Sequence, residues 1–206
     1  MIGGLVLAAG AGRRFGGPKV LVEVDGERWV DRAVRVLREG GAESIVVVVG
    51  AAPVEVPGAD NVVANPDWAE GMGSSLRAGL AAAALEACSA LVVLLVDQPG
   101  VEPAAVRRMI AAHEAGAELA VATYGGERGH PVLLGRSHWG AVAEVAVGDV
   151  GARAYLAAHA AEVRAVACDG AGDPADIDTR EQLASRFPGA AQPGSERPWL
   201  SGSSAE

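Results

Sequence analysis

The chain alternates two hydrophobic patterns. Residues 5–9, 45–49, 61–64, 91–96 and 119–124 are short apolar blocks rich in Val, Leu and Ala. Blocks of that length, closed by Gly, Asn or Asp-Gln-Pro, predict buried strands. Between them apolar residues repeat at helical spacing. In 28–39 they fall at Trp29, Val30, Ala33, Val34 and Leu37, and Gly40-Gly41 stops the run. Helices are also predicted over 76–87, starting near Ser74-Ser75, and over 103–116, opened by Pro103 and closed by Gly116. Gly125-Gly126 and Gly129-His130-Pro131 punctuate a hairpin or excursion. Two further helices are expected near 137–146 and 151–161, and 163–167 reads as a last strand. Asp178-Thr179-Arg180-Glu181 has capping-box spacing for a final helix, with Asp178 read as its cap. This alternation predicts an α/β class protein: a three-layer, doubly wound, mostly parallel sheet in a single domain over residues 1–187. From Pro188 onward 10 of the 19 residues are Pro, Gly or Ser, so 188–206 is expected to be a disordered tail.

Composition narrows the function classes. The 206 residues are 50% hydrophobic, too apolar for a disordered chain, and only 4% aromatic, which suits helices packed closely on a sheet. The net charge of −9 opposes a nucleic-acid partner, which needs a basic face. Cys88 and Cys168 lie far apart with no C-x-x-C, as expected of free thiols in a reducing compartment. The first residues lack the basic region of a signal peptide, and no stretch reaches the roughly 20 uncharged apolar residues of a membrane span. The expectation is a cytoplasmic protein with no membrane contact. Glycine, at 28 residues, is about double its usual share. Much of the excess is concentrated in 10–17, 71–73, 125–129 and 148–151.

The first cluster carries chemistry. Residues 10–19 read Gly-Ala-Gly-Arg-Arg-Phe-Gly-Gly-Pro-Lys directly after the first predicted strand. Five Gly or Pro positions with Arg13, Arg14 and Lys19 make a phosphate-binding signal, because glycines admit phosphate oxygens to backbone N–H groups. The loop is not a G-x-x-x-x-G-K-[ST] loop, since Val20 follows Lys19. The dinucleotide fingerprint is out of register, with Phe15 where the third small residue belongs, and no acid follows the second strand. Asp97, at the carboxyl end of the strongest strand, is placed to hold a metal against a triphosphate. Asp176 and Asp178, two residues apart, can share a face and supply further oxygens. Gly73-Ser74-Ser75 at a helix start offers N–H groups and hydroxyls to an anion.

Leu7-Ala8-Ala9-Gly10-x-Gly12-x-Arg14-x-Gly16-x-x-Lys19 resembles the N-terminal signature of the MobA-like nucleotidyltransferases at every defined position. Asp97-Gln98-Pro99 and Asp176-Ile177-Asp178-Thr179 resemble that family's two metal-binding segments. Three further segments are similar to those of its molybdenum cofactor cytidylyltransferases. They are Asn65-x-x-Trp68-x-x-Gly71-Met72-x-x-Ser75, Gly129-His130-Pro131 and Gly148-Asp149-x-Gly151-Ala152-Arg153. The family's guanylyl-transferring members tend to read L-A-G-G where this chain reads L-A-A-G. The resemblance covers residues 4 to about 185. It implies a Rossmann-like nucleotidyltransferase fold and Mg2+-dependent transfer of CMP from CTP to the phosphate of a molybdopterin-type cofactor, with release of pyrophosphate. It implies catalytic roles for Arg14, Lys19 and Asp97, and nucleotide binding by Leu7, Ala8, Ala9, Gly10, Gly12, Asn65, Gly73, Ser74 and Ser75. Asp97, Asp176 and Asp178 would hold the metal, with the direct ligand of the last two left open, and His130, Asp149 and Arg153 would bind the acceptor. A client molybdoenzyme is a candidate protein partner. Guanylyl transfer to the cofactor or to a small phosphorylated acid, an NAD(P)H-dependent reductase, and a non-catalytic cofactor chaperone are the alternatives.

Overall fold

The computed structural model describes residues 1–84 and 87–188. The expected tail from 189 and the last part of the helix read over 76–87 lie outside the described residues. In chain order the elements are β1 (Ile2–Ala8), a hairpin of β2 (Glu23–Val24) and β3 (Glu27–Arg28), α1 (Trp29–Glu39), β4 (Ser44–Val49) and β5 (Asn61–Ala64). Then come α2 (Met72–Ala83), β6 (Ala90–Leu95), α3 (Pro103–Glu114), β7 (Leu119–Tyr124) and β8 (Glu127–Gly135). α4 (Trp139–Val145), α5 (Arg153–Ala158), β9 (Val163–Ala167) and α6 (Arg180–Arg186) complete the fold.

Seven strands form one sheet in the order β5-β4-β1-β6-β8-β7-β9. β5, β4, β1 and β6 pair in parallel, as do β7 and β9, while β8 runs antiparallel to both its neighbours. The unbroken apolar blocks follow from this burial. Val6, Ile45, Val47, Val92 and Leu94 pack on one face with residues of α1 and α3. Leu5, Leu7, Val46, Val48, Leu91 and Val93 pack on the other with residues of α2, α4 and α5. Strand side chains alternate between faces, so a strand covered on both sides must be apolar throughout. Trp29, Trp139 and Tyr155 are core residues at 1%, 5% and 7% exposure. Both cysteines are buried free thiols. Some glycine serves packing rather than ligands. A Cβ on Gly79 of α2 would come within 2.5 Å of Leu5 Cδ1, so this helix rides close to β1, and overpacking there costs about 1–3 kcal/mol. No helix among the described residues is long and apolar enough to cross a membrane.

Three local features differ from the sequence reading, each with a physical cause. The β2–β3 hairpin turns at Asp25-Gly26, both at positive φ, and its strands are too short for periodicity to reveal. β8 holds Pro131, which argues against a strand in a central position. The structure accommodates it at a register shift: Val132 pairs with Val121 and Gly129 with Ala122, so His130 and Pro131 bulge out of the ladder. The last helix is capped by Thr179 and Gln182, one residue beyond the expected box. Asp178 is therefore not the cap, and its carboxylate is free for other partners.

Candidate active site

Three segments meet at the carboxyl edge of the sheet. The first is the loop leaving β1. Gly16 and Gly17 N–H groups both donate to the Gly12 carbonyl, at 2.9 and 3.1 Å, which closes the loop into a tight turn. It then enters a 3₁₀ turn, Lys19–Leu21, in which Lys19 is only 8% exposed. The β2–β3 hairpin separates this turn from α1, so the glycine loop does not open a helix. A dinucleotide fold needs that loop-to-helix junction to place pyrophosphate on a helix N-terminus.

The second segment follows β6 and carries Asp97. The third, 171–179, is fastened to it by the Ile177 N–H donating to the Asp97 carbonyl at 2.9 Å, with Ile177 buried at 1% exposure. This fastening divides the two flanking acids between different partners. Asp176 accepts from Gln98 Nε2 at 2.8 Å. Asp178 Oδ1 accepts from Lys19 Nζ at 2.7 Å, and Asp97 Oδ2 accepts from the same ammonium at 3.0 Å. Arg14 pairs with the other Asp178 oxygen at 3.0 Å. One lysine thus joins acids contributed 78 and 159 positions along the chain.

The two acids respond oppositely to this setting. Burial pushes Asp97 above its usual carboxylate range, and Lys19 only partly opposes it, with Asp176 adding like-charge repulsion. The Lys19 hydrogen bond, helped by Arg14, holds Asp178 below that range. Asp97 Oδ1 is buried with no hydrogen-bond partner among the described residues. Two carboxylates already converge on one cation, and one of their oxygens is unsatisfied. This donor set fits a divalent ion. No group of three or more acidic, His or Cys side chains among the described residues stands close enough to hold a metal alone. An ion here would take its remaining ligands from phosphate and water, as Mg2+ commonly does.

Around this cluster lies a cleft of about 440 Å3. Among the residues expected to bind nucleotide or metal, Leu7, Ala9, Gly10, Gly12, Arg14, Lys19, Ser75, Asp97 and Asp178 line it, and so does Asp149. Ala8 is buried beneath the wall at 2% exposure. Asn65 and Ser74 serve the loop's own structure. Asn65 Nδ2 donates to Ser74 Oγ and Ser75 Oγ at 2.9 and 3.1 Å, and Ser74 Oγ lies 2.8 Å from the carbonyls of Asp67 and Gly71. Gly73 packs against the Ala146 backbone. Asp149 Oδ1 faces the Met72 N–H at the start of α2, 3.4 Å away, and so brings its own negative charge to that helix end. Trp68 and Met72 complete the wall.

His130 and Arg153 are not on the cleft wall. Burial pushes the His130 imidazole down to about 4, against the pull of Asp176 and with the push of Arg153. His130 is therefore neutral at pH 7 and can act only as a neutral hydrogen-bond partner. Unfolding raises its pKa to about 6.5, so its contribution to stability is lost as pH falls from 6.5 toward 4. Urea unfolding at pH 7 and pH 5 should show wild type losing stability across that window, with His130→Gln losing less.

Phe15 and Arg180 escaped the sequence reading. Phe15 is buried at 3% exposure, lines the cleft and meets Trp29 edge-on at 5.6 Å between ring centroids. The Arg180 guanidinium sits 5.1 Å above the Phe15 ring, at the outer edge of the glycine loop. Its position two residues after Asp178 was the available signal.

A model of the MobA-like NTP transferase domain matches residues 4–163, so Asp176 and Asp178 lie beyond the matched stretch. Nicotine blue oxidoreductase of Paenarthrobacter nicotinovorans is 37% identical over 193 residues, covering 87% of this chain and 93% of that protein. A probable molybdenum cofactor guanylyltransferase of Opitutus terrae is 38% identical over 103 residues, about half of each chain. Among solved structures, Rv0371c of Mycobacterium tuberculosis superposes with a TM-score of 0.77 at 30% identity, covering 91% of this chain and 98% of that one. The same protein has been solved in complex with manganese, with a TM-score of 0.73 at 29% identity and the same coverage. By its glycine-loop signature, its sheet and these matches, the chain belongs to the MobA-like NTP transferase family.

Proposed function

We propose that the protein transfers CMP from CTP to the terminal phosphate of a molybdopterin-type cofactor and releases pyrophosphate. The observation that carries this reading is the Lys19 ammonium held between Asp97 and Asp178 at the foot of the glycine loop, with Arg14 beside it. A phosphate monoester has a second pKa of about 6, so the attacking oxygen is ionised at neutral pH and needs no dedicated base. The new bond joins that oxygen to the α-phosphorus, and the bond from the α-phosphorus to the β-phosphate bridge breaks. Mg2+ bound to Asp97 and Asp178 would supply charge neutralisation on the phosphate oxygens. Asp176 orients Gln98 at the edge of that site. Lys19 and Arg14 hold the leaving pyrophosphate. The loop backbone from Leu7 to Gly12 takes the nucleotide, with Ser75 on the opposite wall. Asn65, Gly73 and Ser74 hold that wall in place. Asp149 on the wall and, away from it, His130 and Arg153 serve the acceptor end.

The test is pyrophosphate release from each NTP in Mg2+, with and without molybdopterin-type cofactor. Release from CTP only when acceptor is present is the expected result. A preference for GTP would make the protein a guanylyltransferase. Acceptor binding without any pyrophosphate would favour a chaperone. Ala9 lines the cleft at 4% exposure and restores the L-A-G-G form when shortened. Ala9→Gly is expected to move the CTP-to-GTP ratio of kcat/KM toward GTP by about tenfold, the usual weight of one methyl group in a pocket.

The 37% identical relative named as an oxidoreductase favours a second reading, reduction by NAD(P)H. Against it stand a glycine loop that enters a hairpin rather than a helix and a β4 that ends at Val49-Gly50 without a ribose-binding acid. Metal-independent NADPH binding would establish that reading and end the first.

A further inference from the structure

A second, much smaller cavity of about 10 Å3 lies between α1 and the end of β6. A void of about 10–15 Å3 is the least that admits one water, and that water needs about two to four polar partners. The walls are Ala, Val, Leu and Pro except at Trp29, Arg32 and Gln98. Among the described residues three buried side-chain polar atoms meet no hydrogen-bond partner, and two of them, Trp29 Nε1 and Gln98 Oε1, belong to residues of this lining. The two are complementary, because an indole N–H only donates and an amide oxygen only accepts. Turning the amide over would not change this, since Gln98 Nε2 is committed to the Asp176 carboxylate at 2.8 Å. Trp29 and Gln98 are 1% and 8% exposed, so bulk solvent does not satisfy either atom. A buried donor and a buried acceptor left unpaired each cost stability, and one water between them answers both. Arg32, whose Nε donates to the Pro99 carbonyl at 2.5 Å, closes the same wall and supplies a further polar neighbour.

We infer that a buried water site joins the Trp29 indole N–H to the Gln98 amide oxygen, and that through it Trp29 is a positioning residue for the acid segments. The relay continues from Gln98 Nε2 to Asp176, whose neighbour Ile177 is fastened to the Asp97 carbonyl. Both ends of the Gln98 amide are then fixed, one by a carboxylate and one by water. The Trp29 ring also meets Phe15 of the glycine loop edge-on at 5.6 Å. One core indole thus reaches the loop through its ring and the acids through its N–H. The water site stands independently of the transferase reading, and its effect on transfer rests on that reading.

The test is nuclear magnetic resonance on the full chain labelled with nitrogen-15. Trp29→Phe removes one indole N–H signal and so assigns it. In wild type that signal is expected to show NOE and ROE cross-peaks of opposite sign at the water resonance, the mark of a held molecule. No hydroxyl side chain lines the cavity to mimic them. Gln98→Met removes the acceptor. It is expected to shift the Trp29 signal and abolish its water cross-peaks while leaving the other indole signals in place. A wild-type Trp29 signal without water cross-peaks, or one that Gln98→Met leaves unchanged, overturns the inference. In Trp29→Phe the Gln98 side-chain amide protons are expected to lose their protection from solvent exchange. Its kcat for transfer should fall about tenfold, the lower end of the cost of losing an outer-shell partner. Its affinity for the non-hydrolysable analogue α,β-methylene-CTP should hold, because Phe keeps a ring against Phe15. Affinity and kcat falling together would mark a merely structural tryptophan and overturn the positioning role. If the variants do not fold, triple-resonance assignment of wild type identifies the signal, and its water cross-peaks decide. Wild type that releases no pyrophosphate ends the transferase reading, while the water cross-peaks and the amide exchange still decide this one.

Discussion

Asp97→Asn is expected to lower nucleotidyl transfer by about 10²–10³-fold, the usual cost of one positioned electrostatic contact, while melting no lower than wild type. The two halves of this result come from one fact. Asp97 is half-buried, with its Oδ1 fully so, and this burial raises its pKa despite Lys19. The native state therefore binds the Asp97 proton more tightly than the unfolded chain does. Its ionised form costs stability at every pH above the unfolded value of about 3.8, and the cost is relieved as pH falls through that region. Asn keeps the shape and removes the charge. The stability difference between Asp97→Asn and wild type should be largest near pH 7 and shrink toward pH 4. Asp178 has the opposite sign. Its lowered pKa contributes stability above about 3.8 that is lost as pH falls further, so Asp178→Asn should destabilise the protein at pH 7. Thermal melts of the three proteins at both pH values check this. A markedly destabilised Asp97→Asn at neutral pH would contradict the assignment of Asp97 as a functional acid held against its solvation preference.

Gly12→Ala should raise the KM for nucleotide by at least about tenfold and cost about 1–3 kcal/mol of stability. Gly12 sits at φ +58, where a side chain is strained, and a Cβ there would run into the Gly17 carbonyl oxygen. The same residue's carbonyl receives both closing hydrogen bonds of the loop. Alanine therefore forces the turn open at the point that sets the spacing between Arg14 and Lys19. For a domain of this size 1 kcal/mol moves the melting temperature by about 2–4 °C, which calorimetry resolves. Titration with the CTP analogue reads the affinity. Unchanged affinity would remove the loop from the nucleotide site.

The sheet was legible where strands are buried on both faces, because Val, Leu and Ile runs such as 45–49 and 91–96 have one explanation in a three-layer fold. β8 was not, because its first half is polar and its Pro131 is tolerated only through a bulge that depends on the partner strand. Arg14, Lys19 and Asp97 were legible as a motif and a strand end. The way Asp178 joins Arg14 to Lys19 was not, since it needs Ile177 to anchor the C-terminal segment on the Asp97 carbonyl. The final cap shows the limit most directly. Asp178 and Thr179 are both good caps, and a shift of one residue decides whether Asp178 serves a helix or the site.

The Lys19–Asp178 contact spans 159 positions, so the site is a clasp between the first and last parts of the described chain. During synthesis the cationic loop is made early; Asp97 can reach Lys19 once β6 has followed, but the counter-charge on Arg14 and the second one on Lys19 wait for residue 178. A nascent fragment ending before that point lacks the Asp178 end of this ion-pair cluster. On the proposed reading, occupancy of the clasp is a signature of the finished domain, and opening either end is expected to release the nucleotide. Ligand at about 100 times its Kd would add about 2.7 kcal/mol to the unfolding free energy of the whole domain, not to one loop of it. Protection from proteolysis by a bound nucleotide should accordingly extend to cleavage sites far from the cleft, including those in β9 and α3.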